Sequence, residues 1–134
     1  DVGGNDGEIN VITREDGSGT RSVFQNIILG EDKMRADAVV LTSTESVAQA
    51  VKGDPNAIGY MSITGFKGDM KALKVDGVYP TEETISDGLY AIQNPFLFIT
   101  KGIKDDVVLD FINFCLSPEG QNIVRSEKVV PAVP

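Results

Sequence analysis

The amino-acid sequence predicts an α/β domain, and three observations carry that prediction. Runs rich in β-branched residues alternate with amphipathic segments of helical period along the 134 residues. One of these runs passes straight into a helix through the glycine-rich turn Arg14-Glu15-Asp16-Gly17-Ser18-Gly19-Thr20. The length suits one ordinary domain, and a chain 41% hydrophobic and 24% charged has the composition of a globular protein rather than a disordered one.

The elements follow in order. A first strand is expected over residues 8–13, where Ile9, Val11, Ile12 and Thr13 are β-branched. After the turn, Val23, Phe24, Ile27 and Ile28 share one helical face, and Gly30 stops the helix. A second short strand is expected over 38–41. Thr42 and Glu45 then have the spacing of a capping box, ahead of a helix with Val47, Ala48 and Val51 inward. Gly53-Asp54-Pro55-Asn56 reads as a turn, and 57–63 as a buried strand. Residues 65–69 are expected as loop, 71–75 as an exposed strand and 81–85 as a helical turn. Residues 89–100 should be extended, with Pro95 at an edge or bend. In the last third Val107, Val108, Phe111, Ile112, Phe114 and Cys115 form a wide apolar stripe. Ser117 and Pro118 then start a further helix as N-cap and N1, with Ile123 and Val124 on its buried face. Tyr60, Phe96, Phe98, Phe111 and Phe114 are expected in the core.

Several function classes fall away on composition. Twelve basic against twenty acidic residues give a net charge of -8, so the averaged field repels a nucleic-acid backbone. The chain has no histidine, which removes the usual base of a Ser or Cys nucleophile and the commonest zinc ligand. Its single cysteine, Cys115, has no internal disulfide partner and reads as a small buried hydrophobe. The acidic pairs Glu82-Glu83 and Asp105-Asp106 suit helix starts, so no metal site and no cofactor is expected. Apolar runs such as 96–99 fall far short of the roughly 20 residues that cross a bilayer. The opening residues, which carry three glycines before Glu8 and start at Asp1, suggest a piece of something longer.

The turn is the one constellation that carries chemistry. The first N–H groups of a helix have no intrahelical acceptor, and the helix dipole adds positive charge there, so a turn of this kind accommodates an anion. Gly17 and Gly19 permit close approach, Ser18 and Thr20 add hydroxyl donors, and Arg14 adds a charged planar fork. Asp16 could hold the Arg14 guanidinium or accept a proton from the ligand. The competing reading is structural: Asp16 or Ser18 caps the helix, and Arg14 makes an exposed ion pair. Arg21 reads as a surface pair. The phosphate-loop signature and the nucleophile elbow are both absent.

Three stretches taken together resemble a known family. Ile12-Thr13-Arg14-Glu15-Asp16-Gly17-Ser18-Gly19-Thr20-Arg21, then Gln49 to Gly53 with Ala57-Ile58-Gly59-Tyr60, then Leu116 to Val124, are similar to the phosphate-binding proteins of bacterial and archaeal phosphate ABC transporters. The resemblance implies a type II periplasmic-binding-protein fold, in which two Rossmann-like lobes, each a mixed sheet flanked by helices, enclose the ligand. It implies phosphate ligands at Arg14, Ser18, Gly19 and Thr20, with Asp16 bracing Arg14 and Gly17 shaping the turn behind them. Family members also have an N-terminal half with further ligands, so this chain resembles the C-terminal half alone. Residues 1–88 would then form the ligand-binding second lobe. Residues 89–134 would form a crossover strand and C-terminal helices that pack on the missing first lobe, or on a second copy in a homodimer. Gln93-Asn94-Pro95 departs from the family, which often carries Arg before that proline.

The function so implied is non-enzymatic: capture of inorganic phosphate outside the cytoplasm, in the periplasm or as a cell-surface lipoprotein, for delivery to an ABC-type permease. The alternatives are another tetrahedral oxyanion, sulfate or molybdate, or a truncated interaction module without a ligand.

Overall fold

A computed structural model describes residues 6–102 and 106–132. Its frame is a three-stranded parallel sheet of β1 (Asn10–Arg14), β2 (Val39–Leu41) and β3 (Ala57–Ile58), in the order β2-β1-β3. Ile12 pairs with Val39 and Arg14 with Leu41 on one side of β1, and Asn10 pairs with Ala57 on the other. The chain thus leaves β1 for β2 on one flank and returns to the other flank for β3. Parallel neighbours need helical crossovers, and α1 (Gly19–Phe24) and α2 (Thr44–Gly53) supply them. Helix α1 continues directly into a π-helical turn, Gln25–Leu29, which ends at Gly30 with φ +57°.

The buried centre is small. Val47 of α2 is fully buried, and Ile12 and Thr13 of β1 lie beneath it at 5% and 1% exposure. The expected inward face of α2 holds, with Ala48 and Val51 half-buried beside Val47. Its cap differs from expectation. Ser43, not Thr42, accepts the Ser46 N–H at 3.0 Å, because Ser43 is the extended residue immediately before the first helical turn.

Three other expectations change. The strand expected over 57–63 pairs only at Ala57–Ile58 and then enters a 3₁₀ turn, Ile63–Gly65. No ladder forms over 71–75 beyond an antiparallel bridge from Val75 to Val78, and none forms over 89–100. The sheet expected to be mixed is therefore parallel among the described residues, since these two segments lack the neighbours that an antiparallel ladder requires. Short α3 (Glu82–Ser86) does form, closed by a reciprocal capping box between Thr81 and Thr84.

Helices α4 (Asp106–Leu116) and α5 (Pro118–Ser126) meet at a tight corner built from Ser117. Its Oγ donates to the Phe114 carbonyl at 2.7 Å and accepts the Gly120 N–H at 3.2 Å, and Pro118 occupies the first helical turn, as the sequence predicts. Gln121, only 8% exposed, donates to the Cys115 carbonyl and accepts from the Ala132 N–H, each at 2.7 Å. A Cβ on Gly120 would lie 2.2 Å from the Phe114 carbonyl oxygen and 2.7 Å from that of Cys115, where only backbone could yield. Gly120→Ala is therefore expected to destabilise the chain by about 1–3 kcal/mol, read as a lower urea midpoint at unchanged slope.

The aromatic residues expected in the core divide. Tyr60 is half-buried, but Phe96 is 84% exposed, and Phe98, Phe111 and Phe114 are exposed as well, as is Ile123 on the face of α5 expected to be buried. Ile27 and Ile28 are also exposed, and Cys115 is only half-buried. The reason is common to most of them: the parallel sheet and α2 lie elsewhere, and α4 packs chiefly on α5.

Candidate anion-binding site

The carboxyl end of β1 delivers Arg14, and five residues later the chain enters α1. Gly17 makes that reversal at φ +90°, a conformation that side-chain-bearing residues rarely adopt. Ser18 is the N-cap of α1, extended and 5% exposed, and its Oγ accepts the Arg21 N–H at 3.3 Å. That bond leaves the Ser18 hydroxyl proton to donate elsewhere. Gly19 and Thr20 begin the helix, so the helix supplies no acceptor for their N–H groups. A Cβ on Gly19 would meet no atom within 4 Å, so an incoming group could reach the backbone there.

Arg14 is held by its neighbour. Nε donates to Glu15 Oε2 at 2.8 Å and Nη2 to Oε1 at 2.9 Å, a two-point pair, while Nη1 reaches Thr44 Oγ1 at 3.4 Å. The Arg14 side chain is 13% exposed. Asp16, expected to brace Arg14, does not do so: it pairs with Arg21, Nη2 to Oδ1, at 3.0 Å. The turn explains the exchange. Glu15 stays tied to the sheet through its N–H to the Leu41 carbonyl, whereas Asp16 swings outward to 95% side-chain exposure. Arg21 also donates through Nη1 to the Arg14 carbonyl at 2.7 Å, so it fastens α1 to the strand end. The expected ion pair of Arg21 is therefore present, and it closes the turn.

Electrostatics follow from these contacts. The hydrogen bonds from Arg14 hold the Glu15 carboxyl below the usual carboxylate range, helped by a backbone hydrogen bond, and the same pair raises Arg14 further above its ordinary value. A carboxyl lowered by folding adds stability above its unfolded pKa, and that contribution is lost as pH falls through the lowered value. Glu15 is accordingly expected to titrate below the ordinary value of about 4.3, read from its carboxyl carbon shift by NMR. An unshifted midpoint would mean that the pair is not formed in solution.

The sequence places Arg14, Ser18, Gly19 and Thr20 at one turn, and in the fold Arg14 ends β1 while Ser18 caps α1 and Gly19 and Thr20 begin it. Sequence pattern gives Glu15 and Thr44 no role at the turn and expects Tyr60 only as a core residue. Tyr60 OH lies 2.7 Å from Thr13 Oγ1 and accepts the Arg14 main-chain N–H at 3.3 Å. Of these three, only Glu15 had a local signal, as the carboxylate adjacent to Arg14. A hollow of about 370 Å³ lies beside Thr44, lined by Glu45, Thr64, Gly65, Ser126 and Lys128, and it does not include the turn. Among the described residues no cluster of His, Cys, Asp and Glu is able to hold a metal ion, and no helix is long and apolar enough to cross a membrane.

In open parallel sheets ligands bind beyond the carboxyl ends of the strands, where the order of connection reverses. That point here is the β1/β3 boundary, flanked by Arg14 and the 18–20 turn. A family model described as a PBP superfamily domain matches residues 1–119. Over 134 aligned residues the chain is 40% identical to the phosphate-binding protein PstS 2 of Streptococcus pneumoniae serotype 4, an alignment covering 94% of this chain and 46% of that protein. Among solved structures it is similar to a phosphate-binding protein of a phosphate ABC transporter from S. pneumoniae TIGR4, at 40% identity and a TM-score of 0.85, covering 94% of this chain and 52% of the other. It is also similar to a putative phosphate ABC transporter substrate-binding protein with bound phosphate from Clostridium perfringens, at 36% identity and a TM-score of 0.77, covering 95% and 53%. The chain spans about half the length of these relatives. With an α/β frame of this kind and a family model matched over most of its length, the chain belongs to the PBP superfamily, beside the phosphate-binding proteins of phosphate ABC transporters.

Proposed function

We propose that the chain supplies one half of a two-lobed solute-binding protein that captures inorganic phosphate. The observation that carries this reading is the short strand–turn–helix step that leads from a braced Arg14 to the N-terminal donors of α1, in a chain 36% identical to a protein solved with phosphate bound. Arg14, the Ser18 hydroxyl, and the N–H groups of Gly19 and Thr20 with the Thr20 hydroxyl are the proposed ligands. Gly17 gives the turn its shape, and Asp16 acts through Arg21.

The role is binding without catalysis, outside the cytoplasm, in the periplasm or on the cell surface, with delivery to an ABC-type permease. A further N-terminal lobe is the proposed cover for the second side of the ligand. Residues 1–88 carry the turn, and residues 89–134 reach toward that lobe, although Arg125 of α5 also pairs with Glu82 of α3 at 3.0 Å.

Inorganic phosphate is expected to raise the melting temperature of the chain, with a shift that grows with the logarithm of its concentration above the dissociation constant. No shift at millimolar phosphate would favour the ligand-free interaction module, a reading supported by the exposed apolar residues of α4. Sulfate and molybdate are the chemical rivals. Hydrogen phosphate differs from sulfate in carrying a proton that needs an acceptor. Asp16 points toward Arg21 and solvent, so this chain alone should discriminate weakly between the two anions. Competition titration with sulfate measures this, and a strong preference for phosphate would place a carboxylate in direct contact with the ligand.

A further inference from the structure

Tyr60 follows β3, whose backbone lies close against the centre of the fold. A Cβ on the intervening Gly59 would sit 3.1 Å from Val47 and 3.4 Å from Ile12, so only glycine lets the strand approach this far without displacing a neighbour. The consequence is the position of the next side chain. The Tyr60 ring stacks on Phe24 of α1, with centroids 4.1 Å apart and planes within 6°, and its hydroxyl reaches back to Thr13 and to the Arg14 N–H. One side chain therefore touches both the strand end that carries Arg14 and the helix that carries the 18–20 turn.

We propose that Tyr60 is a positioning residue of the anion site: its hydroxyl fixes the Arg14 backbone while its ring holds α1, which sets the distance between the guanidinium and the helix-start donors. The proposal rests on the phosphate reading above. Thr13 is 1% exposed, so the hydroxyl bond is shielded from water and not readily exchanged for a solvent contact. A planar fork that must meet an oxyanion at two points tolerates little displacement, whereas a flexible ammonium tolerates more. Tyr60 should therefore matter only as far as the ligand depends on the fork.

The experiment is calorimetric titration of the full chain with inorganic phosphate, in four forms: unaltered, Tyr60→Phe, Arg14→Lys, and both together. Phenylalanine keeps the ring on Phe24 and removes only the hydroxyl, so the variant retains its packing. Tyr60→Phe is expected to weaken phosphate binding by roughly three- to tenfold, the range of one hydrogen bond, and to cost less than about twofold once Arg14 is already lysine. An equal loss in both backgrounds, or none in either, overturns the positioning role and leaves the phosphate reading standing. An Arg14→Lys chain that binds phosphate as the unaltered chain does overturns the positioning role alone, whereas an unaltered chain that binds none overturns both.

Discussion

Arg14→Ala is expected to lower phosphate affinity more than tenfold, through loss of a charged hydrogen-bonding partner worth roughly 2–5 kcal/mol. Two effects add. The substitution removes the donor fork, and it leaves the Glu15 carboxylate as an uncompensated negative charge in the same turn. The second effect is separable, because Glu15→Gln added to Arg14→Ala should recover part of the loss. Folding should survive the single change. The Glu15 side chain is 33% exposed and can be solvated once it is released, and the sheet pairing of Arg14 uses its backbone. Affinity measured by titration and the melting temperature measured alongside it distinguish the two outcomes. Binding unchanged in Arg14→Ala would remove Arg14 from the ligand set and with it the assignment of the turn.

How much of this was legible depended on the range of the interaction involved. The step from β1 through Gly17 into α1, the Ser117-Pro118 start of α5 and the inward face of α2 are set by residues within one or two turns of each other, and sequence pattern reports such relations directly. The cap of α2 slipped by one residue because Thr42, Ser43 and Thr44 all offer a hydroxyl, and only backbone conformation selects among them. The family resemblance implies Asp16 as the brace on Arg14, but strand pairing holds Glu15 and releases Asp16. Tyr60 had no local signal, since its partners Thr13 and Arg14 are 47 and 46 residues away. Residues 71–75 and 89–100 have strand-like composition, yet a strand exists only where a neighbour supplies its hydrogen bonds. Apolar periodicity shows that a face seeks burial, without showing where the burying surface is.

That last point carries the second large expectation, which concerns association. Leu97, Ile99, Val107 and Phe111 are 76%, 92%, 74% and 59% exposed, and Phe98 meets Phe111 edge-on at 6.3 Å, joining residues 96–99 to α4 as one apolar surface. Soluble monomers rarely leave a contiguous patch of this kind beyond a few hundred Å² open to water. In the proposed two-lobed protein the other lobe covers it. In the chain by itself a second copy offers the same apolar chemistry, and Gly88, at φ +71°, and Pro95 mark a hinge beyond which the C-terminal third is suited to exchange between protomers. The chain is therefore expected to show a mass above its 14.4 kDa by light scattering, rising with concentration. Phe111→Asp should return it to that mass. It should do so with only a modest fall in melting temperature, because Phe111 is 59% exposed and gives up only its edge-on contact with Phe98, worth about 0.5–1.5 kcal/mol. Phosphate affinity should change little, since Phe111 is not among the proposed ligands. A strict monomer whose amides exchange slowly and uniformly from β1 through Ser126 would show instead that 134 residues suffice to bury what they need, and that the division at residue 88 is wrong.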